Sequence, residues 1–349
     1  MNQISRRTFA KSAVVSAVVL GAGPILAESP KRKIKVGFLG GAHSHGLAKW
    51  KIIKASSDFE LLGLAEESAQ VRSQYQKLGA KLLSRDELLD TAELIIIESA
   101  VRDHARDAEL ALTAGKHVHV EKPPTVRMTE LTELVALARK NKRLLQAGYM
   151  WRYHPGFAAM FEAVRKGWLG EIYLVRGMIN TSVPPERRAE WAEFKGGGMF
   201  ELGCHLIDSM VRFLGRPLQV KPTLRGDGPA NDKLNDNNAV VFEFEHAMGV
   251  ITNTTSQPNA FAYRSFEVFG TNGTAVLKPI EPPTLQIDLS KAAGPYKSGL
   301  QTIDLPAYER YVADFVELAA AIRGEKALSV TLDEELLVHK TLLKACEML

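Results

Sequence analysis

Cysteine is scarce: the 349 residues hold two, Cys204 and Cys346. A disulfide framework is thereby excluded, and the absence of any CxxC pair removes the commonest structural zinc sites. Two free thiols are expected. After the N-terminus no stretch reaches the roughly 20 apolar residues that a membrane span needs. No period of about 20–50 residues recurs, which argues against a solenoid. Lysines and arginines are scattered rather than gathered into a stripe with aromatics between them, so no nucleic-acid partner is expected. What remains is ordinary globular composition, 46% hydrophobic and 24% charged, long enough for two domains with buried cores.

The N-terminus has a different character. "SRRTFAK" (5–11) places Arg6 and Arg7 ahead of the apolar run "SAVVSAVVLGAGPILA" (12–27). This matches the twin-arginine export signal S-R-R-x-F-x-K, with a plain secretory signal or a lipid-surface anchor as the alternatives. Residues 1–27 are therefore expected to be a cleaved signal, leaving a periplasmic protein with no stable membrane insertion. Cleavage removes Arg6, Arg7 and Lys11 and no acid, so the formal charge of +4 falls to +1.

From 31 to 150 short apolar or β-branched bursts alternate with helical patterns. Strands are expected at 34–39, 59–65, 93–99, 117–120 and 143–149. Helices are expected at 46–55, 68–77, 85–90, 103–114 and 127–140. Continuously apolar strands alternating with helices imply a doubly wound parallel sheet of the Rossmann type. From 151 to 349 the texture changes. A helix near 156–166, a strand at 171–180, a Pro- and charge-rich loop at 183–195 and a helix at 204–214 precede strands at 217–225, 238–245, 248–256, 263–270 and 273–278. Helices near 307–323 and 333–347 close the chain. This is the pattern of an α+β domain with an open, largely antiparallel sheet, its last helices in a position to pack back on the first domain.

The loop "GFLGGAHSHG" (37–46) lies between the first strand and helix. A dinucleotide fingerprint needs three small residues, for the turn, for approach of the pyrophosphate and for helix–strand packing. Counting from Gly40 puts the second at Ala42 and the third at His45, with Gly46 one place late, so the match is degraded. Its context is better: Glu66 ends the second strand about 20 residues on, where an acid meets the ribose hydroxyls. A 2′-phosphate there would be repelled by roughly 4 kcal/mol per charge pair at 4 Å, which favours NAD over NADP, although Arg72 lies within reach. His43 and His45 could ligate a metal only with a third ligand from elsewhere. No H-x-x-E or D-x-H nearby completes a set, so no metal is expected. The pair is read as rim residues or as a polar turn.

Two later segments are more specific. "AGKHVHVEKPPT" (114–125) ends the fourth strand with Glu121-Lys122-Pro123, and "GGGMFELGCHLIDSMVRFLG" (196–215) carries a glycine run and then an acid four residues before a histidine. With "GYMWRYHP" (148–155), this resembles the Gfo/Idh/MocA oxidoreductases over nearly all the chain after residue 33. The resemblance implies a Rossmann domain that binds NAD(P) and a second domain whose sheet faces the nicotinamide, where a sugar or polyol sits. It implies Lys122, Glu201 and His205 as the catalytic group, with Glu201 where aspartate is commoner. A homo-oligomer is likewise implied.

Gly40, Gly41, Ala42, His43, His45, Glu66, Ser99, His104, Glu121 and Lys122 are the expected cofactor contacts. Arg152, Tyr153, Glu201, His205 and Asp208 are the expected substrate side, with packing as the alternative for Arg152 and Tyr153 and a supporting role for Asp208. His119 reads as structural. The chemistry stands without the resemblance: an imidazole accepts the hydroxyl proton, an ammonium steadies the developing alkoxide, and a carboxylate orients one of them. An oxidoreductase is the leading expectation. A redox-neutral lyase, hydrolase or epimerase that borrows and returns hydride, and a non-catalytic sugar-binding module, are the competing ones.

Overall fold

The computed structural model describes residues 31–228 and 232–349; the expected export signal at 1–27 lies outside them. The first half runs β1 (Ile34–Leu39), α1 (Gly46–Ala55), β2 (Phe59–Ala65), α2 (Ala69–Gln76), α3 (Arg85–Thr91), β3 (Leu94–Ile97), α4 (His104–Thr113), β4 (His117–Val120), α5 (Met128–Asn141) and β5 (Leu145–Ala147). The strands form a wholly parallel sheet in the order β2-β1-β3-β4-β5. β3, "LIII", is buried at every residue, as a central strand covered by helices on both faces must be. The order reverses between β1 and β3, and ligands of open α/β sheets bind in the crevice beyond the carboxyl ends at such a point.

The second half adds α6 (Pro155–Arg165), β6 (Ile172–Met178), α7 (Pro185–Trp191), α8 (Cys204–Leu214), β7 (Gln219–Arg225), β8 (Asn237–Glu243), β9 (Met248–Thr254), β10 (Ser265–Gly270), β11 (Gly273–Leu277), β12 (Leu285–Leu289), β13 (Gly299–Ile303), α9 (Val312–Ile322) and α10 (Leu332–Ala345). Its eight strands take the order β13-β12-β11-β10-β6-β9-β8-β7, antiparallel except where β6 meets β9. One face packs on α6 and α8 through Phe157, Met160, Met210, Val175, Phe242, Ile251 and Phe266. Among the described residues no helix is long and apolar enough to cross a membrane. Cys204 and Cys346 are buried free thiols.

Three elements, β12, β13 and α7, escape the sequence reading, and the start of α9 is displaced. β12, "LQIDL", alternates buried and exposed, but its flanking prolines mask it. α7 lies within the loop read as irregular. α9 begins at Val312 rather than near 307, because the chain before it carries Tyr311 at φ 69°, a left-handed conformation that a bulky residue adopts only under constraint.

Candidate active site

Gly40, at φ +75°, leads the chain out of β1 directly beneath the end of β3; a Cβ there would stand 2.5–2.7 Å from Ser99 Cβ, Cα and N. The close-packing role expected of the fingerprint's third position falls to Gly46, the first residue of α1, where a Cβ would meet the Tyr75 hydroxyl at 2.2 Å. The fingerprint is thus longer by one residue, not absent. The Glu66 carboxylate sits at the tip of β2 and accepts the N–H groups of Gly41 and Ser68, both at 2.8 Å. It thereby ties the glycine loop to the end of β2.

The two histidines turn inward. His43 is buried, its backbone N–H donating to the Glu98 carbonyl at 2.8 Å and its Nδ1 lying 3.8 Å from Glu98 Oε2. His45 Nδ1 lies 3.2 Å from Glu121 Oε1. Burial holds both imidazoles below their usual pKa, the His43 ring well below. They do not form an outer rim; they pair with the carboxylates that end β3 and β4.

Behind them lies a charged interior that the sequence reading missed. Lys49 of α1 is fully buried, and its ammonium donates to Glu98 Oε1 at 2.7 Å and to Glu121 Oε2, with His119 Nε2 at 2.9 Å. Burial opposes this charge, but Glu121 and Glu98 outweigh it and hold the ammonium above its ordinary pKa. The chain of bonds continues through His119 Nδ1 to Gln146 Oε1 (2.8 Å), from Gln146 Nε2 to the Tyr153 hydroxyl (2.9 Å), and from that hydroxyl to Glu317 (2.6 Å). His119 is accordingly a structural group.

At the other side of β4, Lys122 Nζ donates to the Glu201 carbonyl at 2.9 Å and lies 3.5 Å from Glu201 Oε2. Glu201 stands on a single π-helical turn, Met199–Gly203, that runs into α8; such turns concentrate at functional sites. His205 follows in the first turn of α8, its ring 5.1 Å from that of Trp151 and 6.1 Å from that of Tyr149. Burial, and then the nearby Lys122 charge, push the His205 imidazole well below its usual pKa, so it is neutral at pH 7. Burial pulls the Lys122 ammonium down, but Glu201 lifts it above its ordinary value. Burial raises the Glu201 carboxyl although Lys122 opposes the shift. Ser99 Oγ, the Tyr149 hydroxyl, Glu201 Oε1 and His205 Nδ1 are buried without a hydrogen-bond partner.

Several expected contacts are occupied elsewhere. His104 is fully buried, with Nδ1 2.9 Å from the Pro123 carbonyl and Nε2 3.1 Å from that of Ser99; its one N–H donates to one of them, and both ring nitrogens face the protein between the end of β3 and the Lys122 loop. Arg152 is buried and bidentate to both Asp208 (2.7 and 3.0 Å) and Glu335 (2.6 and 2.8 Å). Tyr153 is spent on Gln146 and Glu317. Arg152, Tyr153 and Asp208 are therefore struts rather than substrate contacts, because their polar atoms are already satisfied inside the protein. The glycine run approaches protein, not ligand: a Cβ at Gly196 would strike Cys346, and one at Gly198 would strike Asn253.

Two family models match the chain: "Oxidoreductase family, NAD-binding Rossmann fold" over residues 34–149 and "GFO/IDH/MocA C-terminal domain" over 157–276. A dTDP-3,4-didehydro-2,6-dideoxy-alpha-D-glucose 3-reductase of Streptomyces violaceoruber is 26% identical over 313 residues, 84% of this chain and 86% of the relative. The UDP-N-acetylglucosamine 3-dehydrogenase GnnA of Acidithiobacillus ferrooxidans superposes with a TM-score of 0.77 at 19% identity, covering 91% of this chain and 98% of that one. GenD2 from gentamicin A biosynthesis, solved in complex with NAD, gives 0.75 at 22% identity, covering 92% and 95%. The parallel sheet with its switch-point loop, the eight-stranded second sheet and both matching models agree: the chain belongs to the Gfo/Idh/MocA oxidoreductase family.

Proposed function

We propose that this protein is an NAD-dependent oxidoreductase that moves hydride between a hydroxyl-bearing carbon of a sugar or sugar derivative and a tightly held nicotinamide. The observation that carries the reading is the meeting of Lys122, Glu201 and His205 beyond β4 with Glu201 Oε1, His205 Nδ1 and the Tyr149 hydroxyl left unpartnered. A buried polar atom without a partner costs roughly 1–3 kcal/mol. A polyhydroxylated ligand beside a dinucleotide is the kind of molecule that offsets such a cost.

The residues at the switch point fit a dinucleotide: the start of α1 faces the crevice, Gly40 brings the backbone against Ser99, and Glu66 offers its carboxylate to a ribose. That carboxylate disfavours a 2′-phosphate, which supports NAD over NADP. When bound, the nicotinamide supplies the hydride chemistry. His205, neutral and with Nδ1 unpartnered, accepts the hydroxyl proton of the substrate. Lys122, kept charged by Glu201, donates a hydrogen bond to the same oxygen as negative charge grows on it. Glu201 Oε1 is free to accept from a neighbouring hydroxyl and fix the ring. His104 contributes by holding the Lys122 loop against β3.

The twin-arginine motif supports export, and with it a cofactor carried inside the folded protein. That same motif favours, as a second reading, a redox-neutral reaction in which hydride is returned to the substrate. Denaturing the purified protein is expected to release a dinucleotide detectable by mass spectrometry. Lys122→Ala is expected to lower turnover by about 100-fold or more while the dinucleotide is retained; turnover near wild type would overturn the assignment. A keto-sugar product supports net oxidation, and a cleaved or epimerised sugar with unchanged cofactor supports the second reading.

A further inference from the structure

Two groups of potential ligands meet at the carboxyl ends of β3 and β4. Glu98, His119 and Glu121 form the first. Its centre is filled, because the Lys49 ammonium bonds to both carboxylates and reaches His119. His43, His45 and Glu121 form the second, with one donor atom from each within 4.8 Å of the others. No ammonium stands among these three in the same way: Lys49 is on the far oxygen of Glu121, and Lys122 is paired with Glu201.

Beside this second group one carboxylate oxygen is left without a partner. Glu98 and Glu121 are wholly buried and share the single charge of Lys49, while Lys122 and Glu201 balance each other. Glu98 Oε2 has no hydrogen-bond donor, is fully buried, and lies 3.8 Å from His43 Nδ1. A buried polar atom left without a partner is costly, and an ion bound beside it would offset that cost.

We propose that His43, His45 and Glu121 form a site for one divalent first-row transition-metal ion, of the zinc or cobalt class, with Glu98 Oε2 within reach as a fourth ligand. Two imidazoles and a carboxylate suit Zn2+, Co2+ or Ni2+, whereas Mg2+ and Ca2+ prefer all-oxygen sets. Tetrahedral ligands at about 2.0–2.1 Å from zinc stand roughly 3.4 Å apart. His45 Nδ1 and Glu121 Oε1 are already 3.2 Å apart, so closure asks only for a shift of about 1.4 Å at the widest pair. The bound ion would give Glu98 Oε2 a partner and pin the glycine loop to β4 one residue from Lys122.

The site does not depend on the dehydrogenase reading, and its test is spectroscopic. Untagged mature protein, stripped with chelator, is titrated with Co2+ and followed by visible absorption. One saturating equivalent with the intense bands of a four- or five-coordinate ion is expected. His43→Ala and His45→Ala are each expected to weaken Co2+ binding by at least about 10-fold. His246→Ala, which alters a histidine whose side chain is 85% exposed, is expected to leave it unchanged. Absence of a saturating signal, or equal affinity in all three variants, overturns the proposal. Should a variant fail to fold, X-ray absorption at the cobalt edge of the wild-type protein decides: histidine ligation supports the site, and an ion surrounded only by oxygen overturns it.

Discussion

At the scale of single residues, Lys49 is the most consequential side chain that sequence reasoning passed over. In "GLAKWKIIKA" it looks like one of three ordinary helix lysines. Yet Gly46, Lys49, Trp50 and Ile53 are the buried positions of α1, the i, i+3, i+4, i+7 spacing of a core face. A lysine on that face needs buried acids, and Glu98 and Glu121 supply them. Replacing it with methionine keeps the volume but leaves two carboxylates facing each other. Lys49→Met is expected to destabilise the protein by about 3–5 kcal/mol, measured by urea unfolding at neutral pH. A loss below about 1 kcal/mol would mean that the ammonium does not hold the two strand ends together.

At the scale of elements, α6 shows how local capping and pH dependence are joined. Pro155 opens the helix, and His154 caps it by accepting the N–H groups of Gly156 (3.1 Å) and Phe157 (3.4 Å) on Nδ1, while Nε2 lies 2.8 Å from the Ile280 carbonyl. An Nδ1 that accepts cannot carry a proton, and burial lowers the ring to about 4 from 6.5. The sign follows from linkage. The unfolded chain takes up a proton near pH 6.5 and the folded one does not, so this contribution is whole above pH 6.5 and is lost as pH falls towards 4. The shift corresponds to about 3 kcal/mol. His154→Asn retains a capping side chain without a titrating ring. Its unfolding free energy is expected to fall less between pH 6.5 and 4 than that of wild type, by about 3 kcal/mol. Parallel slopes in the two proteins would rule out His154 as the source. α8 makes a second point at this scale: its periodicity is plain in the sequence, but the π turn that carries Glu201 into it is not.

At the scale of the whole molecule, one apolar core runs from the first sheet into the second, and buried ion pairs join them. Arg152 follows β5, Asp208 comes from α8 and Glu335 from α10, so three distant segments meet at one guanidinium. α9 and α10 also reach back: Phe315 packs edge-on to Phe59, and Arg323 pairs with Asp58 at 2.8 Å. The meeting of Lys122 with Glu201 and His205 therefore exists only in the fully assembled chain. The export proposed from the twin-arginine motif would move the chain only after such assembly. Replacing Arg6 and Arg7 together by lysine is expected to leave the precursor in the cytoplasm, folded and with its dinucleotide. Normal periplasmic recovery of that variant would show that the pair is not the export signal.

Sequence by itself determined the strand and helix order of the first half, several elements to the residue, because period and turn chemistry are local properties. The α8 helix and the E-K-P and acid–histidine segments were legible for the same reason. Only the tertiary structure decided which polar groups are satisfied. Arg152, Tyr153 and Asp208 became internal struts, His104 became a clamp between two carbonyls, and His43 and His45 turned inward to acids 55 and 76 positions away. The physical reason is that a buried charge or hydrogen bond depends on what stands opposite it. For this chain, what stands opposite arrives from another strand, or from the last helix.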